Sequence, residues 1–472
     1  PSPIVTAEAP YKEQTKTLER DNLKRVDKST GENVNYRETQ TWFDGSVMNE
    51  GKLDGVIFKK INNKFYQRKI ENSINPFWWG EKTEESINNA INWASRLKLN
   101  IDILDDYEID CSSDDSGVQL KSNVTINFKG GRLLAKASAS GNYRIINIYN
   151  NENVKIINPK IVGERNNHIG TTGEWGHGIS ITNSKNILIE NPNIKDCWGD
   201  GIYIGNKYWD NASDYSTEGV TINNAVIDNV RRNGISITSN KNVTIINPRI
   251  TRTNGAMPQA GIDIEPEGVD GKPIVIDNIN IINPYTADNN GAGIMLFITN
   301  AVLPANNPKI DINIHNHIDE RSKIGFFSAK VRDGLSGCVN IINPSYISNQ
   351  QGAVLISNWG KENTIKLNIE NPKIKGWNTS LDTFDYYRHG INIIKEGTAE
   401  YANVGINIKN PLFDYTGADI STYPLFISSA NPNKISVLID GIDEVKDKEN
   451  NYVSILSKGT IINDYKGVLK GN

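Results

Sequence analysis

The chain has 472 residues, 37% hydrophobic and 22% charged, with 51 Lys+Arg against 55 Asp+Glu and a formal net charge of -4. Balanced charge lacks the basic excess of a nucleic-acid binder, and no apolar run approaches the ~18 to 20 residues of a membrane span, so nucleic acid and membrane insertion are excluded as partners. Three scattered cysteines, Cys111, Cys197 and Cys338, form neither a disulfide framework nor a zinc pattern.

Residues 1–75 read as a short β-rich segment, carried by TWFDG at 41 and LDGVIFKKINNKFYQR at 53. Thr83 is placed to cap a helix over 83–97, where Ile87, Ala90, Ile91 and Ala94 recur at helical spacing. YEID at 107 and LKSNVTINFKGG at 120 follow, and then a repeated Ile-x-Asn-Pro-x-Ile motif: IINPKI at 156, IENPNI at 189, IINPRI at 245. Counted at the residue after Asn, its copies fall at Pro159, Pro192, Ala225, Pro248, Pro284, His317, Pro344, Pro372 and Pro411, with steps of 23 to 39. A second motif, Gly followed by alternating Ile, interleaves at Gly178, Gly201, Gly234, Gly261 and Gly390. Each cycle therefore contains at least two short strands. The shortest cycle is too brief for a four-stranded propeller blade, and no helical pattern separates the strands. An all-β solenoid of three short strands per coil fits, spanning 76–411, with the inward Ile residues stacked in one core. The repeated Asn is expected at a left-handed bend, its amide bonded to the neighbouring coil. Residues 412–472 (LFISS, KISVLID, YVSILS) read as further β-structure closing the solenoid.

These coils resemble the right-handed parallel β-helix of pectate-lyase-like proteins over about residues 75 to 415. The helix with its following strands is similar to the capping helix and first coils of phage tailspikes in that superfamily, although Trp78-Trp79-Gly80-Glu81 stands where Gly-Asp-Gly is usual. The block upstream resembles the neck of tailspikes from phages of Gram-negative bacteria, Acinetobacter phages in particular. The resemblance implies a homotrimer, attachment to a phage tail or baseplate through a further N-terminal part, and action at the bacterial surface.

Candidate chemistry lies on insertions and outward side chains, because a solenoid is itself only a scaffold. Extra length clusters between about 160 and 300, in GERNNHIGTTGEWGH at 163, GNKYWDNASDYSTEG at 205 and EPEGVDGKP at 265, with a further long step from Pro372 to Gly390. Acids and aromatics flanking one sheet describe a carbohydrate groove, since rings stack on sugar C–H faces and carboxylates bond hydroxyls. Aligning coils on Gly places His177, Asp200, Asn233 and Ala260 in one column and Ser180, Tyr203, Ser236, Asp263 and Met295 in another. Asp263 and Glu265 thus share one strand face about 6.8 Å apart along the chain, and Asp200 lies two coils away, about 9.6 Å. These three are the candidate catalytic carboxyls, with room between them for a water; Glu267 could replace either member of the pair. Glu174, Trp175, His177, Trp198, Tyr203, Trp209, Arg232 and Glu267 are the candidate substrate-binding residues. Trp175 and Trp198 could instead pack beneath the loops, and Arg231 and Arg232 could be plain turn charges. His315 and His317 at i, i+2 offer two metal ligands without a third, and neither a metal nor another cofactor is expected.

A hydrolytic tailspike depolymerase of a bacterial capsular polysaccharide is the leading expectation. A polysaccharide lyase and a non-catalytic receptor-binding spike are the alternatives on the same scaffold.

Overall fold

The computed structural model describes residues 22–206, 217–266, 276–298, 309–331, 336–359, 365–384, 386–394, 404–428, 436–440 and 456–458. Two compact units divide the chain: Pro1–Asn72 with Trp78–Gly80, and Ser73–Phe77 with Glu81–Asn472.

In the first unit the strands Asn22–Val26, Asn33–Glu38, Lys64–Arg68 and Phe58–Ile61 form an antiparallel sheet in that order. The last two are joined through Asn62 and Asn63, both at positive φ (47° and 64°), the geometry of a two-residue type I′ turn. Val34, Tyr36 and Tyr66 form its core. A buried Arg68–Asp27 pair at 2.6 Å is covered by Trp78, whose ring centre lies 3.6 Å from the guanidinium. Trp78-Trp79-Gly80 therefore serve this unit.

The second unit opens on the helix Glu84–Leu97, which buries Ile87, Ala90, Ile91 and Ala94 together with Trp93. Thr83 holds the N-cap position with an extended backbone, but its hydroxyl makes no capping bond; the helix stops where Lys98 turns left-handed. Asn88 ties the helix to the first coils by donating to the Gly117 carbonyl and accepting from the Gln119 N–H.

The other described strands are parallel and lie in sheets of 11, 12 and 13 strands, a right-handed β-helix. One coil runs through Lys185–Glu190, Asn193–Lys195 and Ile202–Gly205, and each strand pairs with its equivalent a coil later. The repeat produces this directly. Ile156, Ile189, Ile222, Ile245, Ile281, Ile314, Ile341, Ile369 and Ile408 stand in register, each at most 1% exposed. Burying each such side chain stabilises by about 1.5–3 kcal/mol before entropy is counted. Two residues on, Asn158, Asn191, Asn224, Asn247, Asn283, Asn316, Asn343, Asn371 and Asn410 all sit at positive φ. Each amide from Asn191 onward donates to the Asn one coil earlier, at 2.9 to 3.4 Å. Asn247→Gly keeps the left-handed bend but removes two rungs, so it should cost about 1–2 kcal/mol. Asn247→Val should cost more, because a β-branched residue resists that φ. Denaturant midpoints check this; equal midpoints for both variants and the parent would remove the ladder as a source of stability.

Leu412–Asp414, Leu425–Ser428, Ser436–Asp440 and Leu456–Lys458 add to the same three sheets. His315 and His317 do not share a strand face: His315 ends a strand, and the left-handed Asn316 turns His317 into the interior, where its Nε2 lies 2.8 Å from the Thr286 hydroxyl. Among the described residues no three His, Cys, Asp or Glu form a metal-sized group, and no helix is long and apolar enough to cross a membrane.

Candidate functional site

The 12-stranded sheet carries the site. Its outer face holds Asn147, Ser180, Tyr203, Ser236, Asp263 and Met295 in one register column, so the alignment on Gly places five of them as the strands do. A cleft of about 230 Å³ opens over this column. Tyr203, Ser236 and Asp263 line its floor, Glu265 stands beside Asp263, and Glu174, Trp175, His177 and Arg232 line the opposite strand ends.

Asp263 is 1% exposed, and its Oδ2 accepts a 2.9 Å bond from the Asn233 amide, which also reaches the Ser236 hydroxyl at 3.1 Å. Its Oδ1 is buried without a hydrogen-bond partner, and the Glu265 carboxyl is its neighbour on the strand. Two neighbouring carboxyls taken out of water disfavour carrying two charges at once. Burial first, and then the Glu265 charge, push the Asp263 carboxyl well above the usual range. Burial also raises Glu265, with Arg232 working against it. The pair therefore holds a proton as a unit at pH values where an isolated carboxyl has lost it.

Asp200 does not face the cleft. It is 0% exposed and lies beneath the floor, with Oδ2 3.2 Å from Arg232 Nη1 and Oδ1 accepting the Asn233 N–H at 3.0 Å. Burial raises its pKa, and Arg232 and the Asn233 N–H oppose the rise. Burial likewise works against the Arg232 charge, but Asp200, Asp263, Glu174 and Glu265 outweigh it and hold the guanidinium charged. Glu174, at 3.6 Å from Arg232 Nε, is half exposed. His177 is buried and accepts the Asp200 backbone N–H through Nδ1 at 3.1 Å. Burial, Arg144 and Arg232 keep it uncharged, so its remaining proton sits on Nε2 and its 3.7 Å approach to the Asp200 carboxylate is not an ion pair. The ring stacks on Tyr203 at 5.1 Å, and the Tyr203 hydroxyl meets that of Thr238 at 3.0 Å.

Trp175 is 49% exposed on the cleft, whereas Trp198 is 6% exposed and lies outside it. The expectation that Trp198 touches substrate is corrected by its packing. His168 stacks on it at 3.6 Å, the Arg231 guanidinium lies 3.9 Å from its ring, and its Nε1–H donates to the Thr172 carbonyl. Arg231 further donates to the carbonyls of Gly173 and Thr171 at 2.6 and 2.9 Å. This clamp fixes the loop that delivers Glu174 and Trp175 to the cleft. Trp209 and Glu267 lie outside the described residues.

Asn142, Arg144, Asn147 and Asn206 also line the cleft and escaped the sequence reading. Arg144 pairs in register with His177 and contacts Asp114; burial lowers its pKa to about 10. Its strand carries Ile145 where later coils have Gly, so the Gly alignment passes over it. Asn150 and Asn183, one coil apart and both left-handed, were the usable signal.

Residues 111–268 match the family described as right handed beta helix region. The Bacillus subtilis (strain 168) protein YclG, named as uncharacterized, is 33% identical over 180 residues, which cover 34% of this chain and 30% of that protein. The match thus spans under a third of that relative's length. A tailspike protein gp49 from Acinetobacter baumannii bacteriophage Fri1, a capsular polysaccharide depolymerase, superposes with TM-score 0.56 at 12% identity, covering 96% of this chain and 73% of its own. The A-module of Azotobacter vinelandii mannuronan C-5 epimerase AlgE6 superposes with TM-score 0.54 at 12% identity, covering 83% and 99%. Such likenesses share the β-helix fold and include proteins that act on polysaccharides.

Proposed function

We propose that the chain is a phage tailspike depolymerase that hydrolyses glycosidic bonds of a bacterial capsular or surface polysaccharide, working outside the cell as part of a homotrimer on a phage tail. The observation that carries this reading is the neighbouring Asp263 and Glu265 carboxyls in a cleft that also holds an exposed Trp and two guanidiniums, where burial raises the pKa of both. The pair's proton, held more tightly by Asp263, reaches the glycosidic oxygen through Glu265, the less buried member. Glu174, across the cleft, orients the attacking water and takes its proton as the base. Asp200 acts through Arg232 as a positioning residue, and Trp175 stacks on the sugar. The tail context and the trimer rest on the likeness to tailspikes.

One observation favours a second reading, β-elimination. Arg144 and Arg232 both line the cleft and together could neutralise a uronate carboxylate, which eases removal of the adjacent proton. Incubation with purified capsular polysaccharides separates the outcomes. New reducing ends without ultraviolet absorbance are expected; an absorbing unsaturated product would replace hydrolysis by elimination, and tight binding with no product would leave an adhesin.

A further inference from the structure

The strand face that carries Asp263 continues beyond it with different chemistry. In register, Met295, Phe327, Leu355, Asn392 and Phe426 succeed Asp263, where Asn147, Ser180, Tyr203 and Ser236 precede it. Phe297 follows Met295 at the same spacing as Glu265 follows Asp263, and it is succeeded in register by Ala329 and Ser357. Met295 and Phe327 pack against a cluster of Ala292, Ile324, Leu355, Ile394 and Phe426, yet they and Phe297 stay partly exposed. A second trough of about 410 Å³ lies over them.

The long step from Pro372 to Gly390, which the acid pair does not use, builds one side of this trough. Its loop brings Tyr387 to the trough and packs Phe384 on Tyr386 and Tyr387, with ring centres 5.3 and 5.0 Å apart. Asn378 pins the loop by donating to the Asp382 carbonyl at 3.0 Å and to Asp419 at 2.8 Å, and Gln351 holds the Asp382 carboxylate. Polar side chains are the minority of the lining: Gln259, Asn290, Lys323, Gln351 and Ser357, with the Tyr387 hydroxyl. Gln259 and Asn290 are already bonded to each other at 2.7 Å.

We propose that this trough seats the sugar unit next to the cleaved bond, and that the unit bears a methyl group, as N-acetylamino and 6-deoxy sugars do. The proposal rests on the polysaccharide reading above. Continuity carries it: the trough begins one coil, about 4.8 Å, from the acid pair, so a polymer lying along the helix axis and presenting a bond to Glu265 lays its next unit on Met295 and Phe327. A hydroxyl laid on the apolar floor of Met295, Phe297 and Phe327 would lack a partner, whereas a methyl group fits between thioether and rings. The trough would thereby select which repeat unit is cut.

Saturation-transfer NMR with free sugars tests this without any cleavage. N-acetylglucosamine and rhamnose at tens of millimolar should receive saturation at their methyl protons; glucose and mannose should receive little. Response to one methyl sugar only would identify which class is held. Phe327→Ala and, as a second and gentler variant, Met295→Gln should abolish the transfer and raise KM on the polysaccharide roughly tenfold with kcat nearly unchanged. Equal transfer to all four sugars, or transfer and KM unchanged in both folded variants, would overturn the proposal even if the acid pair hydrolyses. Methyl-sugar binding without cleavage of any polysaccharide would instead overturn the hydrolase reading and leave the trough standing.

Discussion

Glu265→Gln should slow polysaccharide cleavage by roughly 10²–10⁴-fold while leaving binding of the uncut polymer within a few fold. The amide keeps the shape of Glu265 but has no proton to give. Asp263→Asn should behave differently. It removes the more deeply buried member and with it the second carboxyl that lifts the upper pKa of the pair, leaving Glu265 as the lone acid. A general acid works only while protonated, so activity falls as pH climbs through its pKa; the alkaline limb of the rate profile should therefore move to lower pH in Asp263→Asn, and activity should partly return on acidification. Glu265→Gln should show no such return. Comparing pH–rate profiles of the two variants on one polysaccharide decides the matter, and full activity in both would exclude the pair from the reaction.

The fold was legible because each coil repeats its own instructions. Inward Ile and bend Asn recur together, and a solenoid places every copy in the same environment, so Asn191, Asn224 and Asn247 are the same residue physically as well as in pattern. The column Ser180–Tyr203–Ser236–Asp263–Met295 followed from the same logic, since strand register in a β-helix is fixed by the bend. Depth within the site was not legible. Asp200 lies in the cleft or beneath it according to where Arg232 of the following coil reaches, and that is a side-chain choice made 32 residues away. Trp198 is hidden for a similar reason, because His168 and Arg231 come from neighbouring coils to cover both its faces. The distance between the Asp263 and Glu265 carboxyls also depends on rotamers, where the sequence supplied only the spacing of their backbones.

Arg232→Met should destabilise the protein by about 3–5 kcal/mol at neutral pH, the cost of leaving the buried Asp200 without its partner. The size should depend on pH in a definite direction. Asp200 is buried, and its folded pKa already stands above the ordinary 3.8 with Arg232 present. Removing the cation raises it further, and a carboxyl whose folded pKa exceeds the unfolded value weakens the fold as pH rises from that unfolded value towards the folded one. The penalty of Arg232→Met should thus be small near pH 4 and grow towards neutrality, read from denaturant midpoints across pH. Adding Asp200→Asn to Arg232→Met should recover much of the lost stability and flatten the pH dependence, because an amide in that position has no charge to strand. The single variant Asp200→Asn separates positioning from catalysis. Its amide can still accept from the Asn233 N–H but holds Arg232 less firmly, so KM should rise while measurable turnover persists. Turnover as low as that of Glu265→Gln would return Asp200 to the proton-transfer chemistry, and an Arg232→Met penalty independent of pH would mean that Asp200 is neutral in the folded protein throughout.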